Sequence, residues 1–459
     1  GALTRDGRAS PGRVAPVASL WGRLAGPELP RPCGNLLTSF SVCRSIAHHR
    51  NGRRLASPLV VLCLWAAAPL ACGGDEFANA PQCQPGYKVC GGKCVYASAS
   101  YGCSASACDP CPAPDPALKH TIASCDTSGQ CSTTCETGFG LCGADPAVGC
   151  DTNLQDNAHH CGWCKHDCDG ALCDKGICAP IVLASGQKNP SALTFEGSYL
   201  YWVNADDDGA VMRAPVDGGA AEVLASGEKQ PYGLALSQEY AFFSAQTNGG
   251  EVRSVPLAGG ASVTVATDTQ QPQGLARIGQ NLYWASKARG EILSVSIAAA
   301  GETPKPIKSG LVEPTHVTGS SNGWLVYSAV GGSEVYCHRS GENLRIITGL
   351  VPGALATLGD EVYMARAEAR GVYHKSCEAN LADSPKYVPG SQGATAIALD
   401  EASLYFTSAQ GVMQVPLDGG DTPVVHKYST ITTASSIAVG KGRVFVADPS
   451  TGTILRVAK

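Results

Sequence analysis

Three stretches hold side chains that could do chemistry, and each asks for a different element beneath it. "NADDDG", residues 204 to 209, sets Asn204, Asp206 and Asp208 at alternate positions, the opening of a calcium-binding loop. "GSSNG", residues 319 to 323, fits the G-x-S-x-G of a nucleophilic serine. "EPTHVTG" places His316 three residues after Glu313, a carboxylate near enough to bias the imidazole's pKa. No Walker loop, H-E-x-x-H or dinucleotide fingerprint occurs, and no stretch calls for a cofactor.

The flanking residues decide the first two. Where one copy of a repeat has "NADDDG", its other copies have "AQTNGG", "SKARG", "AVGGS", "RAEARG", "SAQG" and "DPSTG". Acids are almost absent from those positions, and the twelfth place of a calcium loop, which needs a bidentate Glu, is Pro215. The stretch reads as a hairpin turn, with a weak surface calcium on Asn204, Asp206 and Asp208 as the alternative. The serine motif needs a strand before it and a helix after it, but "WLVYSAV" follows, which is a strand.

The element that must carry these residues repeats about every 40 residues from Ile181 onward. Pro190, Pro231, Pro272, Pro314 and Pro352, then Ala394 and Ala434, anchor seven copies spaced 38 to 42 residues apart. Each copy holds short period-2 runs separated by Gly, Asp or Asn turns; in the first they are Ile181–Ala184, Ala192–Phe195, Tyr199–Asn204 and Ala210–Pro215. Four strands per copy at this period make a propeller blade. The segment opens on an outer-type strand, "IVLAS", and ends on "TILRV", the third strand of its copy. The first strand can therefore complete the last blade and leave no open edge. The expected fold class is all-β, a seven-bladed β-propeller over 180–459, or six-bladed if copy four or five is an irregular insert.

The order P-x-G-L-A, then "LYW", then "GxIxRxxLDGG" resembles the YWTD, NHL and streptogramin-lyase-like propellers. Such propellers include binders, lyases and lactonases, so the resemblance implies the fold and leaves the activity open. His316 replaces the glycine of "PYGLA" and "PQGLA" (Gly233, Gly274) on the strand nearest the axis. In lyase-like propellers an axial histidine is the general base, which makes His316 the catalytic candidate. The bland reading is a polar residue lining a water-filled channel. His338 and His374 fall on third strands, farther out, as structural or exposed residues. The inner strands "SALTF", "GLALS", "GLARI", "ALATL", "AIALD" and "SIAVG" are small and apolar, which speaks against a metal centre.

Sixteen of the 22 cysteines precede the propeller in two halves of eight. Cys83, Cys90, Cys94, Cys103, Cys108, Cys111, Cys125 and Cys131 form the first (83–131). Cys135, Cys142, Cys150, Cys161, Cys164, Cys168, Cys173 and Cys178 form the second (135–178). Both open with C-x6-C and close on a Gly before the last Cys, so this is a tandem disulfide module whose pairing stays open among 105 possibilities per half. Zinc at Cys161-x2-Cys164 with His159, His160 and His166 is the alternative. The block resembles the loosely EGF-like repeats of secreted and surface proteins of myxobacteria. Cys337 and Cys377 are left over on adjacent copies and are expected to bridge.

Such cysteine usage belongs to an oxidising compartment. "RRLASPLVVLCLWAAAPLACGGD" has a basic pair, a short apolar run and small residues before Cys72. It looks like a bacterial signal peptide with a lipobox (51–72) that would be acylated at Cys72. Pro69 departs from the usual pattern, and ordinary cleavage near Ala71 is the other reading. Residues 1–50 lack periodicity and read as an over-extended or unstructured leader. They and the signal segment carry nine Arg against two acids, whereas the rest has 25 basic and 37 acidic residues, the wrong sign for nucleic acid. The sequence thus points to an extracytoplasmic binding or adhesion protein, lipid-anchored or secreted. Its partner would be an unknown protein or glycan, its only membrane contact a lipid anchor, and a propeller lyase or lactonase is the alternative.

Overall fold

The computed structural model describes residues 83–459 except 144, 268, 298–302, 367–370, 419–430 and 432–433. Cys72 and the apolar run before it lie outside the described residues.

The second strand of each repeat is its most apolar and sits deepest. Tyr199–Asn204 (YLYWVN) buries four consecutive residues, and Leu325–Ala329 (LVYSA) and Ser403–Ser408 (SLYFTS) are buried throughout. A strand covered on both faces reads as a near-continuous apolar run rather than an alternation. Strands to either side hydrogen-bond to it in sequence order. The first blade runs Pro190–Glu196, Tyr199–Asn204, Gly209–Pro215 and Glu222–Glu228, all antiparallel. Five blades of this kind follow one another, and the sixth contributes three described strands, Ile397–Leu399, Ser403–Ser408 and Gly411–Pro416. The seventh is Ser436–Gly440, Arg443–Asp448 and Thr453–Ala458, completed by Ile181–Ala184 from the start of the propeller. The fold is a seven-bladed β-propeller; the irregular fourth and fifth copies are full blades, so six is set aside.

Between consecutive blades lies one apolar cluster. Tyr201 and Val203 meet Phe243 and Val255 between blades one and two, and Phe242 meets Trp284 and Leu293 between two and three. The ring closes where Leu200, Trp202 and Met212 of blade one meet Phe445 and Ile454 of blade seven. Burial of these side chains, at roughly 25 cal/mol per Å2 of apolar surface, is the main force holding blade to blade. Because the strand that closes the last blade comes from the N-terminal side, the two ends of the propeller secure each other.

Ahead of the propeller, eight disulfides stand where a core would be. The first half pairs Cys83–Cys94, Cys90–Cys108, Cys103–Cys125 and Cys111–Cys131. The second pairs Cys135–Cys150, Cys142–Cys164, Cys161–Cys173 and Cys168–Cys178. Numbered within its half, each set joins first to third, second to fifth, fourth to seventh and sixth to eighth. One connectivity used twice, with no bridge crossing between halves, makes the block two copies of one module. Secondary structure here is limited to short hairpins such as Tyr87–Cys90 with Lys93–Tyr96, and one 3-10 turn, Pro146–Val148. No helix among the described residues is long and apolar enough to cross a membrane. The disulfides place the chain in an oxidising or extracellular compartment.

The second module and the propeller belong to one compact unit. Cys161, Cys168 and Cys178 pack against Ala458 of the last blade. Beside them Arg443 forks onto the Asp169 carboxylate, with Nη2 3.0 Å from Oδ1, and also pairs with Asp217 of blade one. Arg456 donates to the Asp169 backbone carbonyl at 2.8 Å and to Val216 O at 3.2 Å. The pairing with Asp169 and Asp217 raises the Arg443 pKa above its ordinary value. One acid thus ties the module to the seam where blade seven meets blade one. Asp169→Asn should cost about 1–2 kcal/mol, since the carboxylate is partly solvated and part of its attraction is screened. Hydrogen exchange should quicken at residues 161–178 and along Thr453–Ala458. Unchanged exchange there would show that apolar packing alone docks the module.

Candidate functional site

The inner strands bound an axial cavity of about 660 Å3 to which all seven blades contribute. In four blades the inner strand shifts register just after its proline, between Ser191 and Thr194, Pro272 and Leu275, Pro314 and Val317, and Pro352 and Leu355. A bulge re-aims the side chains it carries. Two positions after each anchor the cavity is lined by Ala192, Gly233, Gly274, His316, Ala354, Ala396 and Ser436, a ring of small residues broken by one imidazole. Two of these glycines are required by close approach. A Cβ on Gly233 would stand 2.5 Å from Gln273 O, and one on Gly274 2.7 Å from Thr315 O.

In blades two, four and six the second strand supplies a hydroxyl that accepts the N–H of the residue two past the anchor. Ser244 Oγ accepts from Gly233 N at 2.8 Å, Thr407 Oγ1 from Ala396 N at 3.2 Å, and Ser328 Oγ from His316 N at 3.2 Å. Ser244 passes its own proton to the next blade, at Gln273 O, 3.0 Å away. Ser328 instead lies 3.2 Å from His316 Nδ1, and no other acceptor for its proton occurs among the described residues. With Ser328 Oγ as donor to Nδ1, the imidazole proton sits on Nε2, the nitrogen without a protein partner; with Nδ1 as donor to Ser328 Oγ, Nε2 is bare. Burial pulls the pKa of the ring from 6.5 down to about 4. At neutral pH the side chain is uncharged.

Glu313 does not bias this histidine. Its backbone is left-handed (φ 51°), and its carboxylate lies 3.4 Å from Lys287 Nζ. Burial alone accounts for the shift of His316. The cavity lining includes no Asp or Glu. Tyr232 stands at one mouth, its phenol pKa raised by burial. Arg277 is the one lining cation, and it donates to Leu236 O at 2.7 Å and Gly279 O at 2.6 Å.

The other sequence candidates are not brought together here. Asn204, Asp206 and Asp208 belong to the hairpin turn between Tyr199–Asn204 and Gly209–Pro215, whose Ala205 lines the cavity wall. Asn204 donates to Gln187 Oε1 at 3.1 Å, Asp206 lies 3.7 Å from Lys188 Nζ, and the intervening Asp207 pairs with Lys229 at 2.8 Å. Asn204 Oδ1 is buried without a partner, and the three aspartates form no metal-holding cluster among the described residues. EDTA should leave the melting temperature unchanged, and a loss of several degrees restored by calcium would overturn the turn reading. The motif serine of "GSSNG" is Ser321, in the hairpin turn between Pro314–Gly319 and Leu325–Ala329, where the neighbouring Ser320 accepts from Trp324 N at 3.0 Å and no helix follows. Cys161 and Cys164 are each in a disulfide, while His159 pairs with Asp167 and His166 bonds Cys161 O. His338 is on the third strand of blade four, its Nδ1 buried without a partner. Ser328 was missed from sequence because its role exists only across the bulge.

No protein-family model matches this chain, and no curated protein matches it either. Among solved structures it is similar to a streptogramin B lyase, 12% identical over 61% of this chain and 96% of that one, with a TM-score of 0.51. A selenomethionine-substituted virginiamycin B lyase from Staphylococcus aureus is 11% identical over 61% of this chain and 98% of its own, with a TM-score of 0.52. A nidogen/laminin complex gives 16% identity over 50% of this chain and 91% of that chain, at a TM-score of 0.39. Identity this low shows a shared propeller fold alone.

Proposed function

We propose that this chain is an extracytoplasmic binding protein whose propeller receives an uncharged group of a partner protein in the axial cavity. The observation that carries this reading is the state of His316. A general base at that position would need an unprotonated Nε2, whereas a Ser328 hydroxyl donating to Nδ1 puts the proton on Nε2 and makes it a donor. A donor over a floor of small and aliphatic residues suits an apolar side chain whose own backbone carbonyl accepts from Nε2. The absence of lining carboxylates disfavours a cationic guest, and Arg277 already donates to two carbonyls. The lyase alternative rests on the presence of an imidazole in the cavity and lacks a second titratable partner close to it.

Capped neutral amino acids, N-acetyl-leucinamide and N-acetyl-phenylalaninamide, are the probes. Saturation-transfer NMR should detect both on the wild-type chain, with binding lost in Ala354→Phe, which fills the cavity. Binding should weaken about tenfold in His316→Leu, the worth of one hydrogen bond to a buried donor. Signals that persist in Ala354→Phe would place the site elsewhere, and cleavage of a probe abolished by His316→Leu would favour the lyase. The reading includes an anchor at Cys72: intact-mass measurement of membrane-extracted protein should give residues 72–459 plus acyl groups. A soluble product with a free Cys72 N-terminus would remove the anchor and leave the cavity untouched.

A further inference from the structure

The first module turns an apolar sheet face outward. Its hairpin, Tyr87–Cys90 with Lys93–Tyr96, sets Tyr87 opposite Tyr96 and Val89 opposite Cys94. Directly opposed residues point to the same side of a sheet, as do residues two apart, so Tyr87, Val89 and Tyr96 share one face. They are exposed at 50%, 41% and 65%. The two rings meet edge to face with centroids 5.8 Å apart, and neither phenol hydroxyl has a hydrogen-bond partner among the described residues.

The opposite face is packed. Lys88 is buried there and donates to the carbonyls of Gly102, Ser104 and Ala107. Cys83–Cys94 and Cys90–Cys108 hold both strands of the hairpin. The tyrosines cannot roll inward without breaking these bonds, and a contiguous apolar face fixed outward marks a contact surface.

Two observations say what it touches. Only residues 73–82 separate Cys72 from Cys83, and at no more than about 3.6 Å per residue this linker keeps the module within about 40 Å of whatever holds Cys72. Charge is the other. Residues 83–131 hold three Lys and three Asp, whereas residues 135–178 hold two Lys against seven acids. An anionic bilayer repels the second module and lets the neutral first one approach. Tyrosine, with an apolar ring and a phenol that keeps its water, is a residue type that settles at the headgroup level.

We propose that the tyrosine face of the first module seats on the headgroup layer of a lipid bilayer, a second membrane contact beside the acyl anchor. The proposal rests on the anchor at Cys72, because a tether this short raises the local concentration to about the mM range, where so small a face stays seated. Seating stops the module from swinging on its linker.

The test builds the tether chemically, so that it does not depend on native acylation. The chain from Cys72 onward is coupled through the Cys72 thiol to a maleimide headgroup lipid in phosphatidylcholine–phosphatidylglycerol vesicles. Every later cysteine is in a disulfide, so the coupling is selective. Hydroxyl-radical footprinting read by peptide mass then measures each tyrosine, with Tyr240 of blade two, 39% exposed, as the internal reference. Relative to Tyr240, Tyr87 and Tyr96 should be modified at least about fivefold more slowly on vesicles than in the untethered chain. In Tyr96→Ser, an exposed change that leaves the fold intact, Tyr87 should regain most of its untethered rate. Equal rates on and off vesicles, or protection of Tyr87 that Tyr96→Ser leaves intact, would overturn the proposal. Protection of the free chain by N-acetylglucosamine oligomers, with none on vesicles, would overturn it as well and give the face to a glycan. A native chain without acyl groups would remove the anchor, whereas protection in the chemical tether would still uphold the face.

Discussion

Replacing both Cys337 and Cys377 with alanine is expected to lower the unfolding free energy of the propeller by about 3–4 kcal/mol. The two residues lie at the third strands of adjacent blades, Cys337 within Glu334–Arg339 and Cys377 just beyond Val372–Ser376. Their Cα atoms are 5.7 Å apart and they close a loop of 40 residues. Tying such a loop removes conformations from the unfolded chain, and both residues also fill the cluster of Trp324, Val335, Ile346 and Met364. The effect should be largest where the outer ladder is weakest, since blade five has only two outer-strand residues. Urea denaturation followed by tryptophan fluorescence reads it, because Trp202 and Trp284 are fully buried. A change below about 1 kcal/mol would mean that the bridge is not formed, and peptide mapping without reduction would then recover both thiols alkylated.

The second large effect is on pH dependence. His316 has a folded pKa near 4 against an ordinary 6.5. Between those values the unfolded chain takes up a proton that the folded chain refuses, so acid favours unfolding. The contribution is nil above pH 6.5, grows as pH falls, and saturates below pH 4 at roughly 3 kcal/mol. His316→Gln keeps a donor in the cavity and has no proton to gain. Stability of wild type minus variant should therefore fall by that amount from pH 7 to pH 4. A difference that stays flat would mean that the imidazole is hydrated and titrates normally.

What was legible in the sequence follows from what is local. The second strands announce the blades because burial on both faces demands runs such as YLYWVN and SLYFTS. Ring closure was legible because "IVLAS" has the apolar pattern of a strand with no partner inside its own copy. Contacts between distant parts of the chain leave no such trace. The eight module pairings depend on how loops fold over one another, so equal spacing in the two halves showed repetition but not connectivity. Arg443 and Asp169 are 274 residues apart and individually unremarkable surface charges. His316 was visible as the odd residue in a column of small ones, but its chemistry was not. The expected influence of Glu313 rested on its nearness in sequence, but its left-handed backbone goes with a carboxylate paired to Lys287 instead.

The reading of the axial cavity as a binding site stands on where one proton sits, and nitrogen NMR reports that directly. Long-range proton–nitrogen correlation of the His316 ring at pH 7 should show a protonated Nε2 and an unprotonated Nδ1 accepting from Ser328. That pattern should persist down to about pH 5, above the depressed pKa. A proton on Nδ1 with a bare Nε2 facing the cavity, or a doubly protonated ring near pH 6, would contradict it and give the site a base.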